Sequence, residues 1–332
     1  MFYVSMLVCG YRGRRIMGLP QLGTTEFDLL EAKYETCSIS ELTVLANKYG
    51  YKTVDSFQRQ MRKVGVKRNA TNGGWEPTGI NIPLKLVMAK EPKIIAAIGD
   101  THNPYQDAET LALTEGVLEI VNPDVIVYMG DMSDFYQIST FSKNPNRLDD
   151  LQKDINSTKA MFRRHKAKFP KADKYLIEGN HEYRLQSFLW NHAAVLESLD
   201  CLKVGELYGL EEYGVKHISY EQGLMVNEVF LMIHSDIISI HSSYTAKRLY
   251  EKHGGCGICG HTHRGGSYYK RDRFGIWGWW ENFCLCHLNP DWIKNPNWQQ
   301  GFSLIHFIGH RFFVEQLPII DHELMYGGRI YR

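Results

Sequence analysis

The sequence lacks a long hydrophobic run, an excess of one charge and a dense set of cysteines. No apolar stretch approaches the roughly 20 residues that a membrane-spanning helix needs, and the formal net charge is only +1. The seven cysteines are an odd number scattered over 332 residues, which predicts reduced thiols rather than a disulfide framework. These absences argue against a membrane partner, a uniformly basic nucleic-acid coat and a disulfide-stapled secreted domain. We expect a cytoplasmic protein.

The N-terminal sequence also lacks a secretory signal, because no basic region precedes its short apolar run and no small-residue cleavage site follows. We predict that residues 1–20 form a disordered extension, and translation from Met17 instead of Met1 stays open. No internal repeat or low-complexity segment interrupts the chain. With 44% hydrophobic residues, the chain is long enough for one large domain and a smaller one.

The pattern of residues 21–70 predicts a small helical domain. SISELTVLANKYG opens with a Ser-x-x-Glu capping box at Ser38 and Glu41 and stops at Gly50, and the helical segment TVDSFQRQMRKVGV follows shortly afterwards. Two short helices joined by a tight turn, the second of them basic, are typical of a helix-turn-helix. A helical cap or an oligomerisation hairpin is the alternative. The prediction is that residues 38–68 contact duplex DNA through the basic side chains Arg59, Arg62, Lys63, Lys67 and Arg68.

Charge supports this assignment, since residues 1–93 carry 14 Lys or Arg and only 8 Asp or Glu. Residues 71–92 are rich in Asn, Gly, Pro and Thr, which predicts a linker.

The sequence pattern of residues 93–332 differs from that of the first segment. It consists of short apolar runs, with helical stretches between the first three of them: KIIAAIGD, DVIVYMGD, KYLIEGN and VFLMIHS. Strands that alternate with helices predict an α/β domain whose sheets are covered on both faces. GFSLIHFIGHRFFVEQLPI predicts an antiparallel hairpin in a second sheet.

Polar side chains follow these apolar runs, at the strand ends where open α/β sheets bind ligands. Mixed carboxylate and imidazole ligation suits Mn, Fe, Zn or Ni. The sequence therefore predicts a metal site. The side chains are Asp100, His102, Asp131, Asp134, Asn180, His181, Glu182, His234, His261 and His263.

Four cysteines offer an alternative metal site of the zinc-knuckle type. They lie inside apolar, strand-like stretches, where cysteine packs as a small hydrophobic residue. We therefore expect core packing rather than zinc for Cys256, Cys259, Cys284 and Cys286.

Taken in order over about residues 93–310, these blocks resemble the calcineurin-like metallophosphoesterases. The resemblance implies a four-layer α-β-β-α sandwich with two divalent metal ions, for which we expect manganese, with iron, zinc and nickel as alternatives. It implies that Asp100, His102 and His263 hold the first metal ion. Asn180, His234 and His261 would hold the second, and Asp131 would bridge the two.

The resemblance also implies roles for residues around the metals. His181 would stabilise the transition state or protonate the leaving oxygen, and Asp134 would hold its imidazole, as the matching Asp does in phosphoprotein phosphatases. Arg184 and Arg264 are candidate phosphate clamps, because a guanidinium matches phosphate in a bidentate manner. A surface ion pair is the alternative for each arginine.

His241 competes with His234 for the second metal. We prefer His234, which ends an apolar strand, although the following Ser235 departs from the glycine that the family usually has there. His241, Tyr244 and Lys247 are then candidates for the substrate cleft.

The substrate is predicted from further resemblances. GDMSDFY lacks the Arg-Gly pair of the phosphoprotein-phosphatase motif GDxxDRG, so protein phosphatase activity is not expected. GHTHRGGSYY, GWWENFCLC and NPNWQQGF resemble phage and bacterial metallophosphoesterases described loosely as DNA repair exonucleases. We therefore predict a dimetal phosphodiesterase that acts on DNA or nucleotides in a bacterial or phage-infected cytoplasm. The alternatives are a catalytically silent DNA-binding or scaffold protein and a small-nucleotide phosphohydrolase with an oligomerising cap.

Tryptophans near these motifs have two interpretations. They stack on bases beside the metals, or they pack in the second sheet. The tryptophans are Trp277, Trp279, Trp280, Trp292 and Trp298.

Overall fold

The computed structural model describes residues 30, 34, 39–49, 51, 53–63, 83–88, 92–147, 150–290 and 293–332. The chain divides into two compact units, Met1–Ile80 and Asn81–Arg332. Among the described residues, no helix has the length and apolar character needed to cross a membrane.

The first unit contains helices α1 (Ile39–Lys48) and α2 (Val54–Lys63), which lie in segments predicted as helical. Helix α2 begins where the Thr53 hydroxyl accepts a hydrogen bond from the Ser56 amide at 3.2 Å. A small core surrounds Phe57, which is fully buried and packs edge-on against Tyr34. The core also contains Leu30, Leu42, Leu45, Ala46 and Met61.

The predicted DNA-contacting residues are only partly described. Arg59 is exposed on α2. Arg62 and Lys63 belong to the same helix, but their side chains lie outside the described part of the chain, as do residues 67 and 68. The helix-turn-helix function stays a prediction.

The second unit contains the remaining elements. Its helices are α3 (Ala108–Val121), α4 (Leu151–Lys168), α5 (Asn180–His192), α6 (Val204–Tyr208), α7 (Leu210–Tyr213) and α8 (Tyr244–His253). Short 3₁₀ turns span Tyr136–Ile138, Pro145–Arg147, Ala194–Ser198 and Asp200–Leu202. Its strands are β1 (Leu84–Leu86), β2 (Lys93–Ile98), β3 (Val125–Tyr128), β4 (Asp173–Ile177), β5 (Val215–Ile218), β6 (Leu224–Val226), β7 (Phe230–His234), β8 (Cys256–Gly260), β9 (Gly265–Asp272), β10 (Gly275–Asn282), β11 (Gln300–Ile308), β12 (Arg311–Ile319), β13 (Leu324–Tyr326) and β14 (Arg329–Tyr331).

Two six-stranded sheets form the body of this unit. One has the order β12-β11-β2-β3-β4-β5, and the other has the order β1-β6-β7-β8-β10-β9. Strands β2 to β5 are parallel, as are β7 and β8. Because parallel strands end at a common edge, the polar residues that follow them are brought together.

Side-chain alternation along β2 shows how the layers form. Ile95 and Ala97 enter the core between the two sheets, where Phe230 of the facing sheet also lies. Ala96 and Ile98 point to the opposite face and pack in the core that includes α3 and α4. On the outer face of the other sheet, α8 packs against Cys259 and Trp279. The predicted four-layer α-β-β-α sandwich is confirmed.

Two predictions about strands need correction. The hairpin β11–β12 is antiparallel as predicted, but β11 pairs with β2 and so extends the sheet of the parallel strands. Strand β11 is buried along almost its whole length, which suits this internal position in the sheet. The predicted linker 71–92 also extends too far, because Leu84–Leu86 pairs with β6 as an edge strand. This strand is only three residues long and largely exposed, so it carries little hydrophobic signal.

Candidate metal centre

The first group of ligand atoms comes from the ends of three strands. One atom from each of Asp100, His102, Asp131 and His263 lies within 4.8 Å of the others. The Nε2 atoms of His102 and His263 are 2.9 Å apart, and His263 Nε2 is 3.2 Å from Asp100 Oδ1. All four residues are buried. Imidazole nitrogens and carboxylate oxygens thus converge on one point.

The second group of ligand atoms shares Asp131 with the first. It consists of Asp131, His234 and His261. His234 Nε2 is 3.4 Å from Asp131 Oδ2 and 3.0 Å from the Asn180 side-chain oxygen. Its Nδ1 is 2.7 Å from the Met129 carbonyl, which fixes the proton on Nδ1 and directs the Nε2 lone pair toward the group. The structure therefore brings together all seven predicted ligands, with Asp131 common to both groups.

Three of the four imidazoles in these groups are neutral. Burial lowers the pKa of His102 to about 4 and the pKa values of His261 and His263 to about 3, so these imidazoles are neutral and offer lone pairs. His263 Nδ1 is buried and has no hydrogen-bond partner. Burial lowers the pKa of His234, but the charge of Asp131 and a hydrogen bond to it outweigh burial and raise the pKa to about 9, so this imidazole must lose a proton to bind a cation. Imidazoles, carboxylates and one amide oxygen form a donor set that suits Mn, Fe, Zn or Ni.

Two thiols lie next to His263. Atoms of Cys284, Cys286 and His263 are within 4.8 Å of one another. A hydrogen bond with Cys284, together with burial, raises the pKa of the Cys286 thiol well above its usual range, so this thiol stays protonated. Cys256 and Cys259 belong to no such group within the described residues. The four cysteines are buried, in keeping with the expected core packing.

Backbone strain concentrates at the ligands. Positive φ angles, which L-residues rarely adopt, occur at five of them: Asp100 (51°), His102 (49°), Asp131 (52°), His261 (90°) and His263 (54°). The neighbouring backbone approaches closely, since a Cβ at Gly179 would overlap the Asp131 carboxylate. Sequence patterns did not reveal this strain.

Glu182 is a buried residue whose role the sequence did not reveal. Its carboxylate accepts hydrogen bonds from the amides of Asp131 (2.9 Å), Met132 (2.7 Å), Ser133 (3.1 Å) and Gly179 (2.9 Å). Both loops that carry Asp131 and Asn180 are thereby tied to one side chain. Its position three residues into GNHEYR, typical of a capping glutamate, was the available signal.

His181 and Asp134 are in contact, as the resemblance implied. His181 Nδ1 lies 2.9 Å from Asp134 Oδ1, and Arg184 donates to His181 Nε2 at 2.9 Å and to the Asp134 carbonyl at 2.6 Å. Burial lowers the pKa of His181, but the charges of Asp131 and Asp134 outweigh it and the net shift is upward. Arg184 thus lies at the site.

A cavity of about 870 Å³ opens above these groups. Arg184 and Trp298 line it, whereas Arg264 and His241 do not. Its other lining residues include the side chains of Tyr105, Tyr136, Phe141, Arg147, Ile238, His287 and Ile293.

Several predicted substrate-binding residues lie elsewhere. Arg264 donates to the carbonyls of Asn297 and Ser239, so its guanidinium ties two loops together. His241 is exposed and packs against Tyr244. Among the tryptophans, Trp279 and Trp280 are in the cores between layers, Trp277 donates to Asp272, and residue 292 lies outside the described residues.

Comparisons with known proteins agree with this geometry. A model of the calcineurin-like phosphoesterase family matches residues 94–303. The Gene 54 proteins of Mycobacterium phages D29 and L5 are each 24% identical over 251 residues, which cover 72% of this chain and 98% of each relative.

Solved structures are similar at lower sequence identity. A single mutant of Vps29 from Entamoeba histolytica is 10% identical, with a TM-score of 0.38 over 70% of this chain and 96% of that chain. Vacuolar Protein Sorting 29 from Cryptosporidium parvum is 12% identical, with a TM-score of 0.37 over 72% of this chain and 94% of that chain. The family match, which spans more than half of the sequence, is decisive: the chain belongs to the calcineurin-like phosphoesterases, a family of metal-dependent phosphoester hydrolases.

Proposed function

We propose that this protein is a dimetal phosphodiesterase that acts on DNA or nucleotides. The observation that carries the proposal is the position of Asp131, whose carboxylate is shared by two ligand groups at the floor of the cavity. A carboxylate between two cations offsets their mutual repulsion, which is what a two-metal phosphoesterase requires.

Each part of the site has a role in the proposed reaction. When bound, divalent cations supply Lewis-acid polarisation of the phosphoester and neutralise its charge. Asp134 fixes the His181 ring through Nδ1. Once Arg184, which lies on the same wall, turns from His181 Nε2 to the phosphate, Nε2 is released to carry a proton and to deliver it to the leaving oxygen.

The shape of the cavity supports an organic group larger than phosphate. Its volume of about 870 Å³ is within the range of sites for nucleotide-sized ligands. Trp298 and the exposed Phe141 line it, and aromatic side chains are suited to stacking on bases. Two phage relatives support action in a phage-infected bacterial cytoplasm.

The test compares a diester with a monoester. Full-length protein is freed of metal by chelation, reloaded in parallel with Mn, Fe, Zn or Ni, and assayed on bis-p-nitrophenyl phosphate and p-nitrophenyl phosphate. We expect metal-dependent hydrolysis with preference for the diester, strongest with manganese. Turnover of the monoester alone, or of neither ester with any metal, would refute the proposal. A length series of DNA substrates then separates a nuclease from a small-nucleotide phosphohydrolase.

A further inference from the structure

Arg147 lies on the cavity wall although no motif pointed to it. It ends the 3₁₀ turn Pro145–Arg147, and its side chain is only 10% exposed. The guanidinium carbon lies 4.0 Å from the Tyr136 ring centroid and 5.1 Å from that of Tyr105. Contacts with two aromatic faces hold the guanidinium plane in a defined position.

The position of Arg147 relative to Asp134 differs from that of a tight ion pair. Arg147 Nη2 is 3.6 Å from Asp134 Oδ2, beyond the usual 2.7–3.2 Å of a hydrogen bond. The other carboxylate oxygen of Asp134 is already in contact with His181 Nδ1 at 2.9 Å. Asp134 therefore orients Arg147 electrostatically without engaging it in a short contact.

Two guanidinium groups consequently flank Asp134 inside one cavity. Arg184 donates to the Asp134 carbonyl, and Arg147 faces the Asp134 carboxylate. Both arginines also line the cavity, so a phosphate that binds there meets two guanidinium groups, whose N–H donors match its oxygens. The motif GDMSDFY has Phe135 where GDxxDRG has an arginine. In this chain Arg147 comes instead from the loop 13 positions after Asp134.

We propose that Arg147 is a substrate-binding residue that contacts a non-bridging oxygen of the phosphoester in this cavity, together with Arg184. This inference rests on the proposed function and adds to it a recognition residue that the sequence motifs did not contain. A guanidinium has five N–H donors, so it binds a phosphate oxygen while keeping its contacts with Asp134 and Tyr105. A purely structural arginine would stabilise the loop without affecting phosphate affinity.

The test measures phosphate binding separately from turnover. Inorganic phosphate is titrated calorimetrically into full-length, manganese-loaded wild type, Arg147→Met and Arg147→Lys. Arg163→Met is the matched control, because Arg163 is exposed on α4. We expect Arg147→Met to weaken phosphate binding at least about tenfold, the loss expected for a charge-assisted hydrogen bond. The phosphate affinity of Arg147→Lys should lie between those of wild type and Arg147→Met, since lysine keeps the charge but not the planar guanidinium. Manganese content and melting temperature should match those of the control.

Turnover gives a second readout. In Arg147→Met the KM for bis-p-nitrophenyl phosphate should rise, and added guanidinium ion at millimolar concentration should restore part of the lost kcat/KM. Unchanged phosphate affinity in a folded, metal-replete variant would overturn the inference, as would a wild type that binds no phosphate. If Arg147→Met does not fold, Arg147→Gln takes its place with the same expected loss. Phosphate binding that depends on Arg147 in a protein without phosphoesterase turnover would refute the proposed function and leave this inference standing.

Discussion

Asp134 acts on two imidazoles at once. Its Oδ1 atom lies 3.3 Å from His102 Nδ1 and 2.9 Å from His181 Nδ1. Of these two imidazoles, His102 belongs to the first ligand group, whereas His181 belongs to neither group that shares Asp131. One carboxylate thus orients a metal ligand and a proposed proton donor, and a substitution of Asp134 would disturb both.

Replacing His181 tests the proposed division of roles. In His181→Asn we expect kcat for a diester to fall about 10²- to 10⁴-fold, the usual range for loss of a general acid or base. Manganese content should stay at that of the wild type, since His181 is not a proposed ligand. Elemental analysis and steady-state kinetics on the same preparation measure both quantities.

The competing assignment is specific. His102, Asp134 and His181 also place ligand atoms within 4.8 Å of one another, so His181 is itself near enough to share a cation. Loss of one metal ion in His181→Asn would show that His181 is a ligand and that its assigned role is wrong.

At the scale of elements, a charge cluster around a buried glutamate joins helices α3 and α4. Glu115 of α3 is 4% exposed and contacts Arg164 at 2.9 Å, His165 at 3.2 Å and Lys168 at 3.3 Å. The His165 ring also contacts the Tyr128 hydroxyl at 2.9 Å, so the cluster connects both helices to β3. A carboxylate in this position links the elements that support the metal-site loops.

The variant Glu115→Gln should lower the free energy of unfolding by about 1.5 kcal/mol at pH 7, because it removes the charge of a buried carboxylate that accepts hydrogen bonds from Arg164 and His165. Burial raises the pKa of Glu115, but hydrogen bonds from His165 and Arg164 outweigh it and lower the pKa to about 2. The unfolded value is 4.5, so this stabilisation is complete above pH 4.5 and is lost as the pH falls toward 2. Urea unfolding at several pH values measures the difference from wild type.

Glu119→Gln on the same helix is the control. Glu119 contacts Lys168 at 2.6 Å, but its side chain is 49% exposed, and exposed pairs contribute little. A Glu115→Gln effect no larger than that of Glu119→Gln, or one that does not change with pH, would contradict this account of the cluster.

Helix α2 is the element on which the DNA prediction depends. If Arg59, Arg62 and Lys63 contact phosphates, replacing all three with Ala should flatten the log-log dependence of duplex affinity on salt by about two to three units. Hydrolysis of a small diester should not change, because the substitutions lie outside the residues that form the metal centre. Fluorescence anisotropy of labelled duplex at several salt concentrations, with full-length protein, measures the slope.

A matched triple variant removes the same charge from exposed positions of the second unit, Arg163, Lys171 and Lys294. Equal flattening in both triple variants, or no duplex binding by wild type at low salt, would favour the oligomerisation cap over the helix-turn-helix.

At the scale of the whole molecule, the sequence predicted the architecture well because its strongest signals are local. Buried strands such as β3, with VIVY fully buried, show their character in the residues themselves. The choice of sheet for β11 depends on pairing with β2, a partner some 200 positions away, and local pattern does not encode it.

At the site, too, local sequence patterns predicted some residues, whereas contacts between distant segments were not predicted. The ligands were found from ordered motifs, and they converge as the resemblance implied. Arg147, the role of Glu182 in holding two loops and the strained φ angles were not predicted, because each depends on contacts with segments that are distant in the sequence. Arg264 shows the converse, since it follows a strong motif and yet donates to two carbonyls.

We propose that the Asp131 carboxylate would be shared by two metal ions in one centre. The most direct test is the manganese content of metal-saturated wild type and Asp131→Asn, measured by equilibrium dialysis and elemental analysis with diester turnover on the same samples. We expect two ions per chain in wild type and the loss of at least one in Asp131→Asn, with the fold intact. The diester turnover of the variant should fall far more than tenfold, and tenfold corresponds to about 1.4 kcal/mol in the barrier. A wild type that holds one ion or none, or an Asp131→Asn variant that keeps two ions and more than about a tenth of the rate, would contradict the account.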